Sequence, residues 1–130
     1  MNEPVTASIR IKATPAEVFP YLTEASQLVR WMAAWADVDP TPGGTFAVNI
    51  GDQPIRGAYL EVEPPHRVVF TWGLPDNEAL PPGASTVEIV LTADGDETVV
   101  DLAHKDLPEA LKADHLNGWT SLLDNLRTTA

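Results

Sequence analysis

The sequence contains no cysteine and few basic residues, and each shortage removes a class of function. Without cysteine the protein has no disulfide, no thiolate nucleophile and no thiolate-ligated zinc. Its 8 lysine and arginine residues stand against 19 aspartate and glutamate residues, which gives a formal net charge of −11. Because binding to a phosphate backbone depends on cations that displace counterions, we expect no nucleic-acid partner. Anionic membrane surfaces are disfavoured for the same reason.

Long apolar runs are also missing. No stretch approaches the ~18 consecutive apolar residues that a membrane-spanning helix needs, so we expect no membrane partner. Residues 1–14 lack the apolar run of a signal peptide, and we expect a cytoplasmic protein. The length of 130 residues and an apolar content of 44% suit one globular domain over residues 1–130.

What the sequence does contain is a long amphipathic segment near its end. Residues 106–127 are predicted to form a helix whose apolar and small residues share a stripe about 100° wide. Asp106 is predicted to be its N-cap, with Pro108 in the first turn and Glu109 at the third position. The stripe consists of Leu111, His115, Gly118, Trp119, Leu122 and Leu126.

The chain before this helix is predicted to be mostly strands. Apolar residues alternate from Val5 to Ile11, which predicts a first strand. Thr14-Pro15-Ala16-Glu17 is typical of a helix start, and Pro20 predicts that this helix is short or kinked. Thr23 is expected to cap a second short helix.

Later segments, from Trp35 to His104, alternate between apolar and polar residues and are separated by turns rich in glycine and proline. They predict about six strands in an antiparallel meander. A sheet with one face to cover, followed by one helix with a single stripe, predicts an α+β pair of layers. A twisted meander curls around such a helix and can leave a space beside it.

Short motifs along nearly the whole chain, from about Val5 to Leu126, resemble those of a known family. They are similar to the activator of heat-shock-protein-90 ATPase homologue-like family within the START-like (SRPBCC) superfamily. The resemblance is carried by Thr14–Phe19, Leu28-x-x-Trp31, Asp39-Pro40-x-Pro42-Gly43-Gly44-x-Phe46, Gly57, Pro64–Arg67, Phe70-Thr71-Trp72, Thr98–His104 and His115-x-x-Gly118-Trp119.

The resemblance implies the helix-grip (START/Bet v-like) fold. In that fold a curved antiparallel sheet of about six to seven strands surrounds a long C-terminal helix, with two short helices after the first strand. It leaves function open, because superfamily members bind lipids, hormones or polyketides, a few catalyse cyclisation or hydrolysis, and the namesake domain is a co-chaperone. We expect a small, largely apolar ligand, with a chaperone partner or a cyclase- or hydrolase-type enzyme as the alternatives.

Two histidines are the first candidates for polar contacts with such a ligand. His104 shares a strand face with Val100 and Leu102, and His115 lies in the helix stripe, so both are expected to point inward. They either orient a ligand, or act as acid and base, or simply fix the helix to the sheet.

Aromatic side chains complete the predicted binding site. Rings are favoured in ligand sites but equally dominate ordinary cores, and the Tyr59 hydroxyl needs a partner if it is buried. The predicted ligand-binding set is His104, His115, Trp72, Trp119, Tyr59, Phe70 and Gly118. The irregular segment 73–84, with three prolines and two glycines, is expected to flank the mouth of the cavity, where it can act as a lid.

Signatures of catalysis and metal binding are missing from the sequence. The histidines lack the short spacing of zinc sites, and there is no nucleophile elbow, phosphate loop or dinucleotide fingerprint. We therefore expect no catalytic residue, no metal and no cofactor. Exposed sheet edges can pair, so a monomer and a homodimer are both compatible with the sequence.

Overall fold

The computed structural model describes residues 3–130. Its elements, in chain order, are β1 (Val5–Ile11), α1 (Pro15–Val18), α2 (Pro20–Thr23), α3 (Ala25–Leu28), β2 (Trp35–Val38), β3 (Thr45–Ile50), β4 (Gln53–Glu63), β5 (Arg67–Trp72), β6 (Ser85–Asp94), β7 (Glu97–Lys105), a 3-10 turn (Glu109–Leu111) and α4 (Lys112–Thr129). No helix among these residues is long and apolar enough to cross a membrane.

The strands form one antiparallel sheet in the order β1-β7-β6-β5-β4-β3-β2. Strands β2 to β7 follow one another as a meander, and β1 closes the order by pairing with β7, with Val5 opposite His104. The sheet is curved, and the pairing of β4 with β5 shifts register between Tyr59 and Glu61. The predicted α+β helix-grip fold is confirmed, with seven strands.

The short helices follow β1 as predicted. Thr14 caps α1 through a capping box, in which its backbone N–H donates to Glu17 Oε1 at 3.1 Å. Pro20 cannot continue that helix and instead occupies the first turn of α2. The prediction that Thr23 caps the next helix is wrong, because Thr23 ends α2 and Glu24 is the N-cap of α3.

The long helix begins later than its sequence predicts. Asp106 has a φ of 65°, outside the extended conformation of an N-cap, so the predicted cap is wrong. Pro108 precedes the 3-10 turn, and α4 starts only at Lys112. The helix lies closest to β1. Its buried side chains are Trp119, Leu123 and Leu126, and of these Leu123 is missing from the predicted stripe.

The core lies between the concave face of the sheet, the short helices and α4. Phe46 and Phe70 stack at its centre with ring centroids 4.0 Å apart. Tyr59 meets Phe46 edge-on at 5.6 Å. These rings fill the middle of the sheet, and room remains toward the end where β3, β4 and β5 face the first half of α4.

Truncating a leucine on the buried side of α4 should destabilise the fold, whereas truncation on its exposed side should not. Leu123 is 1% exposed and Leu116 is 43% exposed. We expect Leu123→Ala to lower the free energy of unfolding by about 2–5 kcal/mol, and Leu116→Ala to change it by less than about 0.5 kcal/mol. Urea denaturation followed by circular dichroism measures both, and equal effects would contradict this placement of α4.

Candidate functional site

A cavity of about 400 Å³ opens between α4 and the ends of three strands. Ile50 of β3, Ile55 of β4 and Trp72 of β5 form the sheet side of its wall. The sheet side is therefore apolar apart from the amide of Gln53 at the start of β4.

The segment 73–84 forms a second side of the wall, as predicted for a segment beside the mouth. Leu74, Asn77 and Leu80 line the cavity. The segment is held to itself by a hydrogen bond from the Leu74 N–H to the Leu80 carbonyl at 2.8 Å. Leu80 is fully buried, so lifting this segment as a lid would expose its side chain at a cost of about 2 kcal/mol.

The helix supplies the third side of the wall. Leu111, His115, Gly118, Trp119 and Leu122 line the cavity, at the three- and four-residue spacing that places side chains on one helical face. Asp114 and Ser121 add polar groups to this side.

Gly118 widens the cavity from the helix side. A Cβ atom built on this glycine would meet nothing within 4 Å, so the position faces open space. Glycine within a helix costs about 1 kcal/mol relative to alanine. The structure contains no packing contact at this position that would require a glycine.

Behind the wall, a chain of hydrogen bonds links α4 to the sheet. The Trp119 indole N–H donates to His104 Nδ1 at 2.9 Å. Since an indole can only donate, Nδ1 is the acceptor and the imidazole hydrogen is on Nε2. His104 Nε2 then donates to Ser85 Oγ at 2.9 Å, and the Ser85 hydroxyl donates to the Trp72 carbonyl at 2.8 Å. We call these four residues the His104 chain.

The protein environment keeps His104 uncharged. Burial and, as the smaller cause, the neighbouring His115 together lower the pKa of His104 to about 3. Both ring nitrogens are occupied and the side chain is completely buried, behind the residues that line the cavity. This geometry supports the interpretation that His104 fixes the helix to the sheet.

His115 has a different environment. Its Nδ1 donates to the Leu111 carbonyl at 2.9 Å, and its ring centroid lies 5.2 Å from that of His104. The side chain is half-buried and lines the cavity. Within residues 3–130 no hydrogen bond engages its Nε2.

Tyr59 and Phe70 lie deeper than the predicted binding site requires. The Tyr59 hydroxyl donates to the Leu22 carbonyl at 2.9 Å, and burial raises its pKa. Phe70 packs within the central aromatic cluster. The structure thus gathers part of the predicted set at the cavity, namely Trp72, His115, Gly118 and Trp119, and places His104, Tyr59 and Phe70 outside its wall. Ligand contact by any of them stays a prediction.

Several residues of the site were not found from the sequence. Ser85 is a partner of His104 because β6 pairs with β5 so that Ser85 lies opposite Trp72, and that register is not visible in the sequence pattern. Gln53 and Asn77 lie in or beside turns, where a polar residue carries no signal of a binding role. No group of three metal-ligating side chains converges anywhere in the described part of the chain.

Comparisons with known proteins agree with this architecture. Residues 12–130 match the family model of the Activator of Hsp90 ATPase homolog 1-like proteins (AHSA1). An AHSA1-like protein of Rhizobium etli is 38% identical, with a TM-score of 0.77 over 98% of this chain and 81% of that one. CalU16 of Micromonospora echinospora is 27% identical, with a TM-score of 0.83 over 98% of this chain and 73% of that one.

A more distant similarity extends to chaperone regulators. An HSP90 activator from Plasmodium falciparum is 24% identical, with a TM-score of 0.79 over 97% of this chain and 94% of that one. At this identity the likeness shows a shared fold. No curated protein sequence matches the chain.

The buried neutral state of His104 predicts a pH-dependent stability. The unfolded chain binds a proton at this histidine below its ordinary pKa of 6.5, whereas the folded chain does so only near 3. The stabilisation that comes from the neutral His104 is therefore fully present above the ordinary pKa, and it is lost as the pH drops toward 3. Between pH 7 and pH 5 we expect the free energy of unfolding to decrease by about 2 kcal/mol from this group.

The variant His104→Asn isolates this contribution, since its amide oxygen can accept from Trp119 but does not titrate. Urea denaturation at both pH values should show a steeper loss for the wild type than for the variant. In addition, the ring proton shifts of His104 in the wild type should stay constant over this range. A His104 that titrates near its ordinary pKa would contradict the assignment.

Proposed function

Because the chain belongs to the Activator of Hsp90 ATPase homolog 1-like family, we propose that residues 1–130 form one cytoplasmic helix-grip domain that binds a small, largely apolar molecule. The binding site of this proposal is the cavity between the sheet and α4. The observation that carries the proposal is the cavity itself, with its volume of about 400 Å³.

The size and the lining of the cavity both support binding of a small molecule. Ligand pockets in proteins typically span about 300–1,000 Å³ and combine apolar walls with a few polar groups. Here two tryptophans, Trp72 and Trp119, face the space together with aliphatic side chains, and His115 and Asn77 are half-buried polar groups among them. This composition suits a compact molecule with one or two rings and little charge.

The fixed position of α4 further supports the proposal. The His104 chain anchors Trp119, so the helix face that contains His115 and Gly118 is held at a set distance from the sheet. A preformed cavity binds more tightly than one that must be opened, because no ordering cost accompanies binding.

Substitutions at Gly118 test whether the cavity is the binding site. Gly118→Ala should raise the free energy of unfolding by about 1 kcal/mol and keep binding, because the added methyl group is small and the helix gains propensity. Gly118→Leu should fold but fill the space, and lower the affinity by at least about tenfold. Titration with the neutral fluorescent probe N-phenyl-1-naphthylamine measures both.

Native mass spectrometry of the freshly purified protein complements this test. A copurified mass that is lost on denaturation should be present in the wild type and in Gly118→Ala, and reduced in Gly118→Leu. The same spectra distinguish a monomer from a homodimer. A folded Gly118→Leu variant with unchanged probe affinity would contradict the placement of the site.

A second candidate function is a protein-interaction module, and an exposed apolar patch favours it. Val29 and Trp35 are 43% and 44% exposed at the place where α3 meets the edge strand β2. Exposed aromatic residues are enriched in protein interfaces. The family is named after an activator of the Hsp90 ATPase, so an Hsp90 chaperone is the partner to test.

If this patch binds a chaperone, the protein should raise the rate of ATP hydrolysis by an Hsp90 protein. Trp35→Ala should reduce that stimulation severalfold, because it removes an exposed aromatic anchor. Gly118→Leu, which alters only the cavity, should leave it unchanged. A steady-state ATPase assay measures all three proteins, and equal loss in both variants, or no stimulation by the wild type, would count against the second candidate.

A further inference from the structure

The hydrogen-bond character of His115 Nε2 is set by the fold. The Leu111 carbonyl lies 2.9 Å from His115 Nδ1 and can only accept, so the Nδ1 atom must carry a hydrogen. In the neutral imidazole the remaining nitrogen, Nε2, is then an acceptor with a free lone pair. The cavity therefore has, at this half-buried side chain, a site for a hydrogen-bond donor.

The charge of the cavity disfavours an anionic ligand. Asp114 belongs to the wall, whereas no lysine or arginine of the described chain does. The sequence as a whole has a formal net charge of −11. A carboxylate or phosphate would enter an apolar space without a counter-ion and would meet the lone pair of His115 Nε2, and both effects are unfavourable.

A donor without a partner lies in the same wall. Trp72 is 3% exposed, and its indole Nε1 is buried with no hydrogen-bond partner within residues 3–130. A buried donor in this state costs free energy that a suitable acceptor can recover. The ring centroids of Trp72 and His115 are 6.4 Å apart in an edge-to-face arrangement, so the two rings are neighbours in this part of the wall.

From these observations we propose that the ligand is a neutral apolar molecule with a hydroxyl group, an aryl or alkyl alcohol, whose hydroxyl donates to His115 Nε2 and accepts from the Trp72 indole N–H. The inference rests on the proposed function of the cavity and specifies the chemical class of its ligand. A hydroxyl meets both requirements because it donates one hydrogen and accepts through its oxygen. An ammonium group can only donate, and a carboxylate can only accept.

Four naphthalenes of similar size separate these requirements. At neutral pH, 2-naphthol is an uncharged donor and acceptor, 2-methoxynaphthalene is an acceptor only, 2-methylnaphthalene is neither, and 2-naphthoate is an anion. We expect 2-naphthol to bind at least about tenfold more tightly than 2-methylnaphthalene, because its hydroxyl gains two hydrogen bonds that the methyl group cannot make. We expect 2-methoxynaphthalene to fall short of 2-naphthol, and 2-naphthoate to bind most weakly. Amide shifts of ¹⁵N-labelled protein give the dissociation constants.

The variant His115→Phe assigns the hydrogen bond that the ligand donates to a single residue, because it keeps an aromatic ring and removes the acceptor nitrogen. Because Trp72 can still donate but the acceptor nitrogen is gone, the variant's affinities for 2-naphthol and 2-methoxynaphthalene should agree within about twofold. The matched control is His66→Phe, the same substitution at an exposed histidine outside the cavity, which should keep the full preference. Circular dichroism confirms that both variants are folded.

The outcomes separate this inference from the proposed function. If 2-methylnaphthalene binds in the cavity as tightly as 2-naphthol, the cavity is a binding site and the hydroxyl assignment is wrong. Tightest binding of 2-naphthoate, or a preference for 2-naphthol over 2-methoxynaphthalene that persists in His115→Phe, would also overturn the assignment. Failure of all four compounds to bind would overturn the proposed function and the inference with it.

Discussion

A neutral imidazole at the end of β7 holds the long helix in place. His104 accepts from Trp119 on α4 and donates to Ser85 on β6, and the hydroxyl of Ser85 in turn donates to the Trp72 carbonyl on β5. Each of these three hydrogen bonds pairs one donor with one acceptor, and a single tautomer of His104 allows all three. The distance between helix and sheet, and with it the room for a ligand, depends on that tautomer and on the absence of a charge on His104.

Beyond this anchor, α4 uses its apolar surface in two ways. Trp119, Leu123 and Leu126 pack into the core, whereas the neighbouring face, with His115 and Gly118, borders the cavity. The sequence pattern merges these faces into one stripe, because periodicity detects side chains on one side of a helix but not what covers them. Leu123 lies beyond the predicted stripe, and Leu122, within it, is only half-buried. A helix that both packs and lines a cavity needs a broader apolar surface than either role alone.

Most of the fold follows from local patterns in the sequence. Alternation predicted the strands, and Pro20 predicted the break between α1 and α2, since both are local properties. The backbone conformation of Asp106 could not be predicted. Aspartate is favoured at helix N-caps but also tolerates the left-handed conformation, which it adopts here after β7. The sequence also does not show which inward-facing residues border the cavity. Phe70 and Trp72 lie on the same face of β5, yet Trp72 lines the cavity and Phe70 packs in the core.

The pairing of β1 with β7 also sets an order for folding during synthesis. Val5 lies opposite His104, so the first strand remains unpaired until the ribosome has released nearly the entire sheet. Until then the meander from β2 to β6 can form from segments that are neighbours in the sequence. The pairing of β1 with β7 must wait, and it costs more chain entropy because a long loop is closed. Since α4 packs mainly on β1, a helix that follows the whole sheet in the sequence stabilises the strand that precedes the rest of it.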